Sequence, residues 1–291
     1  MIRLVHAELL KIRTTKTWWI FGICLFVFTA LAATFWLFLA NDTINSVASG
    51  GSFLPPTSDG GPPDGGPPAG GSHELDRALV FAAANIYTAG QYFGLLFVMV
   101  LGTLLVTNEY YHQTATATFL TTPRRTSVIG AKLITAMIAA AVFWLSTTAV
   151  SLTAGAIFFS AKGYDTQLGE WPVTRALLLN GLAYALWGVL GVGLGVLIRN
   201  QIGAVITGAA SYIIGTQIVQ GIVFAIGLVL HEDWIFKTLV AWPAVASNVM
   251  VSTEQVYPGS PAWWVGALVL VGHAVLFGTV GTAIMRRRDI A

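Results

Sequence analysis

Six stretches of the chain, residues 17–41, 78–108, 133–161, 176–198, 200–230 and 255–285, contain no Asp, Glu, Lys or Arg. Each exceeds the ~20 mostly apolar residues that cross a bilayer as a helix, so the pattern predicts transmembrane helices over 18–40, 86–107, 132–160, 176–198, 202–230 and 262–285. Strands of a membrane barrel would alternate in polarity over about ten residues, which these continuous runs do not do. The expected fold class is an all-α membrane protein, one six-span transmembrane domain over residues 1–291. The first run is about twice as long as a signal-peptide core and has no small-residue cleavage site behind it, so it reads as a span.

The segments between the runs differ. Within residues 1–17, Ile2, Val5, Leu9 and Ile12 share one helical stripe while Arg3, His6, Lys11 and Arg13 lie off it. That pattern suits an amphipathic helix on the membrane surface, or a plain basic anchor. Residues 50–72 hold eight glycines and six prolines among 23 residues, a composition that cannot offset the entropy of ordering and reads as a flexible external loop. Residues 234–251, WIFKTLVAWPAVASNVMV, are apolar but short and broken at Pro243, which predicts two short helices lying along or dipping into the outer surface. Residues 108–131, NEYYHQTATATFLTTPRRTSVIGA, form the only sizeable internal connection on the other side. It opens with an acid and two aromatics and is stopped by Pro123 before Arg124 and Arg125.

Charge gives the orientation. With the N-terminus inside, eleven of the fifteen basic residues fall in inside segments, and ten of the thirteen acids fall outside. The basic-residue rule then places both termini in the cytoplasm. Trp18 and Trp19 fall at the inner edge and Trp36, Trp171, Trp234, Trp242, Trp263 and Trp264 at or beyond the outer one, the depths that indole rings prefer. Composition agrees with a membrane class: 55% of residues are apolar and 10% charged, against roughly 25% charged in soluble domains. A net charge of +2 is too small and too dispersed for a nucleic-acid footprint. The single Cys24 forms no internal disulfide and has no metal-ligand spacing around it.

Several chemistries lose their residues. An ion-coupled carrier holds ionisable groups deep in the membrane, but here only His273 lies well inside a span, where it reads as a helix–helix hydrogen-bond partner. A six-span intramembrane serine protease needs a nucleophile in its fourth span, and residues 176–198 contain no serine. A phosphate-cradling GxxxxGK[ST] loop is ruled out because the dipeptide Gly-Lys does not occur. Candidate pathway-lining polar residues are Asn85, Gln91, Thr216, Gln217 and Gln220, with intra-bundle hydrogen bonding as the alternative role. Gly188, Gly191, Gly193 and Gly195 read as a close-packing surface.

The basic lead-in ELLKIRTTKTWW, the six spans, the EYYHQTATATFLTTPRRTSVIGAKL connection, the hairpin between spans five and six and the terminal RRRDIA together resemble the permease subunit of ABC-2 type ABC exporters. Glu109, Thr114, Leu120, Pro123, Arg124 and Arg125 match that family's connection, while Gln113 stands where Gly is usual. The resemblance implies an interfacial N-terminal helix, a cytoplasmic coupling helix between spans two and three, and short outer re-entrant helices between spans five and six. The coupling site would involve Glu109, Tyr110, Tyr111, His112, Thr114, Leu120, Pro123, Arg124 and Arg125. It also implies a non-catalytic chain in the plasma membrane that dimerises with a second permease copy or paralogue. Separate ATPase subunits would bind ATP and Mg, membrane lipids would surround the spans, and the cargo would be amphipathic or lipid-like. Two other classes stay open on the residues alone: a stand-alone carrier or intramembrane hydrolase, and a membrane anchor that recruits a cytoplasmic protein.

Overall fold

A computed structural model describes residues 1–53, 71–114, 125–232 and 234–287. Among them the chain is helical with no strand. A short helix α1 (Ile2–Thr14) leads into α2 (Thr17–Ala48), the first span. The second span combines α3 (Gly71–Tyr87) and α4 (Gln91–Tyr111), and α5 (Arg125–Lys162) and α6 (Trp171–Leu197) are the third and fourth. The fifth runs through α7 (Gln201–Ala210), a π-helical turn (Ser211–Gly215) and α8 (Thr216–Leu230). A bent pair follows, α9 (Trp234–Lys237) with a 3-10 turn and then α10 (Pro243–Val251), before α11 (Trp263–Arg287) returns as the sixth span. Six helices of the described residues are long and apolar enough to cross a membrane, which makes this a multi-pass membrane protein.

Lipid tails are as apolar as Leu, so these helices are held by close packing and interhelical hydrogen bonds. Span two is the centre: 78% of its most apolar window is buried, against 11% in span five. Its seam with α6 depends on missing side chains. A Cβ at Gly191 would strike the Met99 carbonyl, and one at Gly195 would lie 2.7 Å from Thr103 O. Thr103 Oγ1 comes within 3.1 Å of Gly191 O across that seam. The glycine ridge therefore packs helices.

Span two is broken by a turn over residues 88–90, and Tyr184 of α6 fills the break. Its buried phenol donates to Gly90 O at 2.8 Å and lies 3.1 Å from Thr147 Oγ1. Gly94 makes the space, because a Cβ there would land on that phenol. The bent pair turns through 103° at Trp242–Pro243, with proline opening α10 where its missing N–H costs nothing. Two indoles pin it: Trp242 Nε1 donates to Thr216 Oγ1 at 3.0 Å, and Trp187 Nε1 to Ser247 Oγ at 2.8 Å. Helices alternate in direction, so α1, the end of α4 and the start of α5 share one end of the bundle with α11's C-terminus. The bent pair and residues 252–260 occupy the opposite, far end.

Candidate functional site

Four charges converge at the near end. Glu8 of α1 and Glu109 at the end of α4 are buried, Lys132 of α5 is wholly buried, and Lys11 of α1 is half-exposed. Lys132 Nζ donates to Glu8 Oε2 at 3.0 Å and to Leu105 O at 2.8 Å, and lies 3.0 Å from Glu109 Oε1. Two hydrogen bonds and one ion pair therefore hold the buried ammonium. Lys11 Nζ reaches Glu8 Oε1 and the same Glu109 Oε1, each at 2.7 Å. Two acids and two lysines cancel. Burying any of them alone would be prohibitive, so the four hold α1, span two and span three together as one unit.

Burial pulls the Lys11 ammonium toward deprotonation, but hydrogen bonds and charge attraction from Glu109 and Glu8 outweigh it and raise its pKa above 10.5. Its tie is complete at neutral pH and is lost only as pH rises through the elevated folded value.

A cleft of about 320 Å³ opens beside the cluster, walled by Glu8, Lys11, Asn108, Glu109, His112 and Thr114 among others. Helix α4 ends just there. Gln113 adopts φ of +53°, the left-handed conformation that closes a helix and that glycine adopts without penalty. Around this end Gln201 Nε2 donates to Asn108 Oδ1 at 2.9 Å, the Arg199 guanidinium sits 5.9 Å from the Tyr110 ring centre, and Tyr111 meets His112 edge-on at 5.0 Å.

Of the residues expected to couple, Glu109 is central to the cluster, and His112 and Thr114 line the adjoining cleft. Tyr110 packs toward the span four–five turn, and Tyr111 is exposed. Arg125 begins α5, whereas Leu120, Pro123 and Arg124 lie outside the described residues, as does 54–70 of the Gly/Pro-rich segment.

The pathway candidates do not meet in one place. Asn85 and Gln91 line a recess of about 350 Å³ at the far end. Thr216 is buried and bonded to Tyr212 O and Trp242, Gln217 is exposed on α8, and Gln220 is half-buried on the same helix. His273 Nδ1 lies 2.9 Å from Val269 O, so among the described residues its bond is made within its own helix and not to a neighbour. Among the described residues no group of three or more His, Cys, Asp or Glu could hold a metal ion.

Residues 68–291 match the family model described as "Protein of unknown function (DUF2705)". The chain belongs to the DUF2705 family. No curated protein matches it. The DUF2705 match takes in Glu109 and Lys132 but not Glu8 and Lys11, so the cluster joins the matched body to the helix that precedes it.

Sequence reasoning missed Glu8. The apolar stripe of α1 directed attention to Ile2, Val5, Leu9 and Ile12, yet Ile2 is 86% exposed and Glu8 is the buried residue of the helix. The available signal was a lone acid in an otherwise basic helix, three residues before Lys11.

Proposed function

We propose that this protein is the permease subunit of an ATP-driven ABC exporter, non-catalytic itself and driven by separate ATPase subunits that bind ATP and Mg. It works beside a second permease, identical or a paralogue, in the plasma membrane with both termini cytoplasmic, and moves an amphipathic or lipid-like substrate outward. The observation that carries this reading is the four-charge cluster. Glu109 and Lys132 flank the 108–125 connection in the sequence, one at the end of α4 and one in the first turns of α5, and both are tied to α1. A displacement of that connection is thus delivered to three helices at once, which is what coupling to an external motor requires.

The excess of basic residues at the near end supports its cytoplasmic placement. Exposed Gln217, on the least buried span, supports a second permease, since a carboxamide facing outward from a membrane helix gains from a hydrogen-bonding neighbour.

Reconstitution tests the proposal. The chain is placed in liposomes with and without an ATPase encoded by a neighbouring reading frame, and nucleotide-dependent export of a fluorescent lipid is followed. Export that requires both chains and ATP is expected; activity of the polypeptide alone, without any nucleotide-hydrolysing companion, contradicts it.

A further inference from the structure

The far-end recess is built differently from the near-end cleft. Its walls come from Trp36 of span one, both halves of span two, the end of α10 and residues 252–256, and none of its lining side chains is charged. Four carboxamides line it, those of Asn85, Gln91, Asn248 and Gln255. Asn85 spends its Nδ2 on Phe81 O at 2.8 Å and Gln91 its Nε2 on Ser247 O at 3.2 Å. Their carbonyl oxygens have no donor among the described residues, and the exposed Asn248 side chain has neither donor nor acceptor partner there. The Thr253 hydroxyl in the same wall is buried without a partner. Opposite lie rings: Trp36 meets Phe81 edge-on at 6.4 Å.

Charge narrows the ligand. Among the described residues, the ionised groups tied to the recess wall are Arg77, paired with Glu254 at 2.9 Å, and Arg175, which donates to Ser252 O at 2.9 Å and has no carboxylate partner. Their sum is positive, which disfavours a cation. Arg175 lies 5.1 Å from the Trp263 ring centre and is not among the residues that line the recess, so no ammonium or guanidinium faces an anion inside it. Uncommitted carbonyl acceptors beside aromatic faces suit a neutral molecule with many hydroxyl donors and an apolar C–H face. Phe35 and Phe38, exposed on the helix that carries Trp36, offer an apolar track for an attached chain.

We propose that this recess binds the uncharged, hydroxyl-rich headgroup of a glycolipid-like molecule, the sugar hydroxyls donating to Asn85, Gln91 and Asn248 and the ring lying against Trp36 and Phe81. Its assignment as the cargo's headgroup site rests on the exporter reading; the binding itself does not.

The test uses the full chain in nanodiscs, without ATPase or nucleotide, and native mass spectrometry to titrate hexyl β-D-glucoside. Parallel titrations use hexyl phosphocholine, hexyltrimethylammonium and hexyl cyclohexyl ether, which keeps the ring and tail but no hydroxyls. The glucoside is expected to bind at least tenfold more tightly than all three, and the Asn85→Leu/Asn248→Leu double variant to lose at least tenfold for the glucoside alone. Equal binding of the cyclohexyl ether, or tighter binding of either charged probe, overturns the assignment on the unmodified protein, whatever the variant's folding. A chain that binds the glucoside selectively but exports nothing with any ATPase keeps the recess and ends the exporter reading. A chain that exports with its ATPase yet ignores the glucoside ends the recess assignment and leaves the exporter reading standing.

Discussion

The two ends of the bundle treat polar groups in opposite ways. At the near end Glu8, Lys11, Glu109 and Lys132 pair with one another, and the buried Lys132 ammonium also donates to a backbone carbonyl. At the far end Asn85, Gln91 and Asn248 have no charge between them and keep acceptors uncommitted. A saturated network resists being pulled apart, whereas an unsaturated one is completed by something else. The contrast is between a network that ties helices together as a joint and a recess that we propose binds a ligand.

Disrupting the joint gives the greatest change. Lys132→Met leaves two buried carboxylates facing one half-exposed lysine, a loss of about 3–5 kcal/mol, seen as a large drop in melting temperature by fluorescence-detected size exclusion. Adding Glu109→Gln restores charge balance and recovers most of that loss; a double variant no better than the single one refutes the mutual cancellation of the four charges. Gln113→Gly relieves the left-handed backbone at the end of α4 and stabilises by about 1 kcal/mol, read as a rise in melting temperature. Lys11→Ala has a smaller effect than Lys132→Met, because its ammonium is half in water. Since the Lys11 pKa is raised above 10.5, the stability difference between the wild type and the Lys11→Ala variant stays flat from neutral pH upward and closes only beyond that value. The far end responds least: Asn248→Leu removes no hydrogen bond and shifts stability by no more than about 0.5 kcal/mol. A large loss there erases the contrast between the two ends.

The six spans were legible because each is a long run without charge, a signal that depends on composition alone. The glycine ridge of span four and the break at Pro243 were also visible, since small residues and proline act locally. The charge cluster was not. Glu8 and Lys132 are 124 positions apart in the chain, and nothing periodic links a surface helix to the start of span three. Span two was expected to begin near residue 86, yet α3 carries it back to Gly71 because Glu74, Asp76 and Arg77 interrupt the apolar run without interrupting the helix. Asn85 and Gln91 were singled out for their polarity inside an apolar stretch, and the fold does bring them to one recess, while Gln217 points away on another helix.

A separate motor pulling on the connection after span two is the central claim of the proposed function, and co-purification probes it. The chain is co-expressed with an ATPase encoded by a neighbouring reading frame and purified through a tag on the permease, as wild type and as Arg124→Glu/Arg125→Glu. The wild type is expected to retain the ATPase through purification, and the charge-reversed variant to lose it with an unchanged melting temperature, because the four-charge joint is untouched. Failure of the wild type to hold the ATPase, or full retention by the variant with transport intact, refutes the proposition.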